Sequence, residues 1–230
     1  MKKLLSVISV LLFIIPCCVG FVCKRSYTDV SKNQNPFDSF EVGLLSEFSS
    51  QYLEEYFDNS LEDDSKYILK VTPVKPMEFA FKCYSEPVKV IEVFKGDDIK
   101  INDEINIARS SSAVYWNMNN TNSINTGFVN KMNEGEEYLI FLGNKLDCGI
   151  KTVYKTTSCV VAPIFSYTSH NSSIAQGNNG ISSTNYTNVN ENEFFIEDDY
   201  SLDVLEKLKN KFISKYKWKL YYFKLWECYS

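Results

Sequence analysis

Residues Pro87 to Ile107, PVKVIEVFKGDDIKINDEINI, leave the chain few ways to fold. They read as two β-strands doubled back through a charged turn. Val88, Val90 and Phe94 alternate on one face, while Ile91 and Val93 fall on the other. The phase slips between Val90 and Ile91. A strand that is apolar on both sides is either central in a sandwich or bulged, wrapping from one sheet to another. Lys95-Gly96-Asp97-Asp98 supplies the turn, with glycine giving the positive φ of a tight reversal. Ile99, Ile101, Ile105 and Ile107 then recur with period two, interrupted by Asn102-Asp103. Burying each such side chain contributes about 1.5–3 kcal/mol. A lone hairpin is marginal in water, so these side chains call for another sheet or a helix to cover them.

A length of 230 residues fits one domain with appendages. The chain is 44% hydrophobic and 15% aromatic, enough for a packed core. Charge is distributed unevenly. Residues 1–25 carry four basic groups and no acid, and residues 201–230 carry seven lysines against Asp203, Glu206 and Glu227. With +4 at each end and −5 in total, residues 26–200 carry −13. An acidic body of this kind argues against a nucleic-acid partner.

The N-terminus combines Lys2-Lys3, an uncharged apolar run from Leu4, and small residues Cys18 and Gly20 before Phe21. This is the layout of a secretory signal peptide cleaved near Gly20. Leu4 to Cys23 is also an unbroken run of 20 uncharged residues, long enough to anchor the chain across a bilayer about 30 Å thick. Both readings place the protein outside the cytoplasm, and both are kept open. Residues 1–23 are thus a signal peptide or anchor, and 24–65 a spacer leading into an amphipathic helix over Leu44–Phe57. That helix should end at Asp58-Asn59-Ser60, with Glu62-Asp63-Asp64 solvated.

Residues 66–167 read as mainly β. Strands are expected at Lys66–Val74, at Glu78–Tyr84, in the hairpin, at Glu137–Leu142, at Ile150–Thr156 and within Cys159–Tyr167. Ser110–Asn125 reads as a loop, and Gly127–Met132 as a short strand. Residues 168–193, rich in Ser, Thr, Asn and Gly, read as a flexible loop. Residues 194–230 hold a basic amphipathic helix capped by Ser201 or Asp203. Its apolar stripe runs Leu202, Leu205, Leu208, Phe212, Tyr216 and Leu220.

The fold class expected is therefore mainly β with flanking helices. Val88–Asp97, Asn102-Asp103-Glu104-Ile105 and Gly135-Glu136-Glu137-Tyr138-Leu139-Ile140-Phe141-Leu142 resemble a pattern in uncharacterised exported proteins of Gram-positive bacteria. The resemblance covers about a third of the chain. It implies a small Greek-key barrel of the OB type, similar to the inhibitory domain of metalloproteinase inhibitors. The N-terminal cysteine that defines those inhibitors has no counterpart here, so inhibition is not carried over. Where the pattern has Gly-Asp, this chain has Asn102-Asp103, and asparagine tolerates the left-handed conformation.

The chemical signals are sparse. The sole histidine, His170, lies in the Ser/Asn-rich loop, where exposed polarity is the expectation. One histidine excludes HExxH and multi-histidine metal sites, and neither a nucleophile motif nor a glycine-rich phosphate loop occurs. No catalytic residue, cofactor or metal is assigned. Cys83, Cys148, Cys159 and Cys228 lie beyond the N-terminal run and allow three pairings after export. Cys148 and Cys159, flanking one hairpin, are the first choice of disulfide, with free buried thiols as the alternative. Asp97, Asp98, Asp103 and Glu104 cluster at the hairpin tip without EF-hand spacing and read as solvated turn charges. The lysines of the terminal helix complement the acidic body, or else Lys215, Lys217, Lys219, Trp218, Tyr221, Tyr222 and Trp226 meet an anionic membrane surface. The function expected is a non-catalytic interaction module at the cell surface, its protein or surface partner unknown. An enzyme with an unrecognised carboxylate site is the alternative from another class.

Overall fold

Period-two patterning through the middle of the chain closes into a barrel. The computed structural model describes residues 12, 14–21, 36–80, 83–109, 113–116, 122–148, 151–157, 160–177 and 182–227. At 48, 49, 80, 113–116, 148, 151 and 218–227 it describes the backbone alone. Met1–Pro36 and Phe37–Ser230 are separate compact units. In the first, residues 12 and 14–21 are helical and exposed. Most of the expected signal or anchor segment lies outside the described residues, among which no helix is long and apolar enough to cross a membrane.

The second unit contains strands β1 (Phe40–Gly43), β2 (Tyr67–Pro73), β3 (Glu78–Ala80), β4 (Cys83–Lys95), β5 (Glu104–Ala108), β6 (Ala113–Trp116), β7 (Asn122–Asn125), β8 (Tyr138–Cys148), β9 (Lys151–Thr156), β10 (Ile164–Ser166) and β11 (Ser183–Asn185). Five of them close a barrel in the order β2-β4-β5-β9-β8, with β8 returning to β2. Every ladder around the barrel is antiparallel except β5–β9. Numbered among themselves, these strands follow the order 1-2-3-5-4-1, the Greek key of an OB-type barrel. β10 lies beside β8, and β3 pairs with the start of β4.

The hairpin at 87–107 is the barrel's β4–β5 pair, registered Lys89 to Glu104 and Glu86 to Ile107. The phase slip read in the sequence is a pair of bulges. Between Ile68 and Leu69, and again between Lys70 and Val71, the β2–β4 register jumps, leaving Phe94 and Ile91 as the extra residues. Bulges bend a strand and sharpen its twist, which a small barrel needs in order to close. The second hairpin strand begins later than its isoleucines imply. β5 starts at Glu104, so Ile99 and Ile101 lie in the connection, the first buried and the second 58% exposed. Two left-handed residues make that connection: Gly96 at φ 108° and Asn102 at φ 73°. A Cβ on Gly96 would stand 2.3 Å from the Tyr67 ring, so glycine is required there for space as well as for φ. Asp98 accepts a hydrogen bond from the Tyr67 hydroxyl, and Asp103 accepts one from Lys100 N–H.

Register separates the inside of the barrel from the outside. Phe141 touches Phe212 of the terminal helix (Asp199–Glu227), with ring centroids 5.1 Å apart, so its face of β8 is the outer one. The alternate residues Tyr138, Ile140 and Leu142 point inward, opposite Val71, Leu69 and Tyr67 of β2. On the outer side, rings of Phe57, Phe94, Phe141, Phe165, Phe212 and Tyr216 interlock at 4.9–6.3 Å. Each such aromatic pair adds roughly 0.5–1.5 kcal/mol beyond its buried area. The terminal helix thus covers one side of the barrel. Its N-terminal cap is Asp198, rather than the expected Ser201 or Asp203. Its carboxylate accepts from the Ser201 amide and hydroxyl, and that hydroxyl also meets Ser50.

Several segments depart from the sequence reading. The helix expected over Leu44–Phe57 is broken into Glu47–Ser50, Leu53–Asn59 and Leu61–Asp64. Leu44 and Leu45 are extended instead, because Leu45 bridges Ile196. The acidic run 62–64 therefore lies on a helical turn. The spacer 24–65 contributes β1, the loop 110–125 contributes β6 and β7, and the loop 168–193 contributes β11. These strands form a second sheet in the order β11-β1-β7-β6. Phe40, Val42, Ile124 and Thr184 line its buried face, over an aromatic cluster of Phe37, Phe79, Tyr84, Tyr186 and Phe195.

Candidate functional site

Inward alternation along β5 places Ile105 and Ile107 in the barrel, and two residues further on it carries Arg109 to the barrel's end. Glu86, two residues before Val88 on β4, arrives at the same level. Arg109 is 2% exposed and Glu86 3%. A guanidinium buried this deeply is tolerated only if its donors are satisfied, because desolvation costs several kcal/mol per ion. All five are. Nε and Nη2 contact the two Glu86 oxygens at 2.9 and 3.1 Å. The remaining donors reach the carbonyls of Thr126, Val129 and Asn130. Glu86 also accepts from the Met132 amide at 2.9 Å. Burial by itself would lower the arginine pKa, and the adjacent Glu86 carboxylate outweighs it, so the pKa stands above its ordinary value.

The three carbonyls belong to a strap, residues 126–132, laid across the barrel end. Gly127 O accepts from Ala162 N–H, and Phe128 O from Phe195 N–H, both at 2.9 Å. Five consecutive carbonyls are therefore held by other parts of the fold. Val129 makes one isolated bridge, to Phe194, so the strand expected over Gly127–Met132 is an irregular strap. Gly127 and Phe128 both adopt positive φ, 65° and 59°. Glycine suits the first position, where a Cβ would lie 2.9 Å from Ala162 N. A bulky aromatic at the second is strained by roughly 1–2 kcal/mol, which the surrounding bonds must offset.

Asn130 carries the network outward. Its amide nitrogen donates to the carbonyls of Asn190 and Asn192, and its oxygen accepts from the Tyr186 hydroxyl. Beside it lie the buried Glu193 and the half-buried His170. Glu193 accepts from the Ser166 amide at 2.9 Å and pairs with Lys209. Burial raises its pKa above the ordinary carboxylate value despite Lys209. His170, expected to be an exposed loop residue, instead sets Nε2 2.8 Å from Glu136 Oε2 and 3.1 Å from Ser166 Oγ. The Tyr138 hydroxyl donates to the same Glu136 oxygen, and burial raises its pKa. A cavity of about 40 Å³ and a groove of about 270 Å³ both reach His170 and Glu193.

Serine, histidine and glutamate in contact invite comparison with a nucleophile relay. That relay needs the acid on one ring nitrogen and the hydroxyl on the other. Here both partners share Nε2, and Ser166 Oγ accepts from the Thr168 amide. The cluster ties the loop 166–170 to the turn at Glu136, and that is a positioning role.

The residues named from sequence are distributed elsewhere. Cys159 and the side chain of Cys148 lie outside the described residues, as do the side chains of Trp218, Lys219, Tyr221, Tyr222 and Trp226. Lys217 is exposed. Lys215 pairs with Glu62, Lys211 with Asp58 and Lys207 with Glu54, each pair 153 positions apart, so the terminal helix runs parallel to the short helices along an ion-pair ladder. Arg109 and Glu86 carry no local motif. Their signal was a charged residue in phase with an inward-facing apolar run. No family model matches the chain, and no curated protein matches it significantly.

Proposed function

We infer that the protein is a non-catalytic interaction module working outside the cytoplasm, at the cell surface. One observation carries this reading: the ionisable groups gathered at the barrel end, Arg109, Glu86, His170, Glu136 and Glu193, are committed to holding loops in place. Loops fixed on a rigid barrel are a common platform for recognition. An enzyme built on a carboxylate is the second reading, favoured by buried Glu193 with its raised pKa beside two cavities. Co-sedimentation of the full chain with cell-envelope preparations separates the two. The module binds saturably, and neither the parent nor Glu193→Gln releases low-mass products. Absence of binding, or low-mass products released by the parent and abolished by Glu193→Gln, overturns the module reading. Membrane contact through Lys217, Trp218, Lys219 and the aromatic residues after them is tested by vesicles. Binding to anionic but not neutral vesicles supports it. The ion-pair ladder supports the competing view that Lys207, Lys211 and Lys215 complement the acidic body.

A further inference from the structure

The face of the four-stranded sheet opposite its aromatic cluster carries a groove of about 300 Å³, at the lower bound of small-molecule sites, which span about 300–1,000 Å³. Register puts Glu41, Gly43, Ser123 and Ser183 on this face, since Glu41 is opposite Ser123 and Gly43 opposite Ser183. Asn125, Phe128, Thr126 and parts of Val42 and Ile124 also line it among the described residues. Two features bear on the groove. Gly43 stands beside the Phe128 ring, where a Cβ would meet the ring edge in ordinary contact at 3.4 Å and a larger side chain would occupy the groove. Phe128 itself is held in a left-handed conformation that a bulky residue avoids, anchored on both sides by the strap's carbonyl bonds. Backbone outliers locked by their surroundings cluster at ligand sites.

We propose that this groove binds a neutral saccharide ring, which would make it a ligand site of the interaction module inferred above and so rests on that reading. A pyranose has one C–H face and a rim of hydroxyls that both donate and accept. Phe128, half-buried with part of its side chain against the core, offers its remaining aromatic surface for the first. For the rim, Glu41 is an acceptor, the Ser123 and Ser183 hydroxyls serve either way, and Asn125 keeps its amide nitrogen because its oxygen already accepts from Gly127 N–H. No lysine or arginine lines the groove among the described residues, and Glu41 is negative, so phosphate and carboxylate ligands lack a counter-charge. A wholly apolar ligand would strand the polar rim.

The test is binding of the labelled full chain to an array of immobilised neutral and anionic glycans, with the parent beside Phe128→Gly and Gly43→Leu. Phe128→Gly removes the ring while installing the residue that prefers that φ. Gly43→Leu fills the groove on a strand where φ is ordinary. Retention on neutral glycans, falling at least tenfold in both variants with the thermal transition preserved, supports the site. Should Phe128→Gly fail to fold, Gly43→Leu decides alone. The proposal is overturned if the parent ignores neutral glycans, prefers anionic ones, or binds as well with the groove filled. A parent that co-sediments with envelopes yet ignores the array removes the saccharide site and leaves the module reading intact. Bound glycan converted to shorter products removes the module reading and leaves the site.

Discussion

The barrel buries Leu69, Val71, Val88, Val90 and Ile107 to zero exposure on strands of five to 13 residues. The four-stranded sheet has strands of three or four residues, polar on one face, over a cluster of aromatic rings. One region is held by aliphatic burial between neighbouring strands. The other is assembled from segments far apart in sequence: β1 pairs with β7 about eighty positions on, and with β11 still further along. Besides the ring contacts of Phe79 and Tyr84, what joins them is polar: the strap 126–132, gripped by Arg109 from the barrel and by Ala162 and Phe195 from elsewhere, with the Tyr84 hydroxyl donating to Asn125 O. A hydrophobic barrel and a sheet polar on one face are thus tied together in part through hydrogen bonds to the backbone.

The sharpest way to break this arrangement is Arg109→Met. It leaves Glu86 buried without its partner and three strap carbonyls without donors, and should cost about 3–5 kcal/mol in urea unfolding. A loss below about 1 kcal/mol would mean that the buried pair does not join the two regions. Phe40→Ala acts on the sheet and on the Phe79 ring stacked against it. Hydrogen exchange should show lost protection in β1, β7 and β11, while β2 and β8 shift by less than about 1 kcal/mol. Uniform loss would make barrel and sheet one cooperative block.

Glu193 offers a graded test. Its folded pKa is raised, so its contribution is fully present below the ordinary carboxylate value and is lost as pH rises through the folded one. The stability of the parent relative to Glu193→Gln should therefore fall as pH rises above the ordinary carboxylate range, read from paired thermal melts. A difference that grows with pH would show that Lys209 outweighs burial. Smallest is Lys211→Ala, which removes one rung of the ladder. Both Lys211 and Asp58 are more than 40% exposed, so the loss should be about 0.2–1 kcal/mol and should shrink in salt. A larger, salt-insensitive loss would make the ladder as structural as the strap.

Much of the barrel was legible because its strands are long and their neighbours close. The bulge at Ile91, the glycine at Gly96 and the left-handed Asn102 each left a local trace in residue type or phase. Two strands of the second sheet left none: Asn122–Asn125 and Ser183–Asn185 are polar runs whose β conformation comes from partners elsewhere. The helix over Leu44–Phe57 forms in part, as Glu47–Ser50 and Leu53–Asn59, and loses its start because Leu45 extends to pair with Ile196, tertiary pairing overriding helical periodicity there. The site was harder still. His170 looked like loop polarity until Glu136 was brought to it from another segment, beside its own neighbour Ser166.

By itself, then, the amino-acid order determined a β-rich barrel with a basic terminal helix, because alternation and amphipathic spacing are properties of neighbours along the chain. Only the tertiary structure decided where the charges and loops would go. Whether Arg109 is buried, which carbonyls it holds, and what faces Phe128 depend on contacts between residues tens to hundreds of positions apart. Such pairings have no local signature, since the free energy that selects them arises only once the barrel has closed.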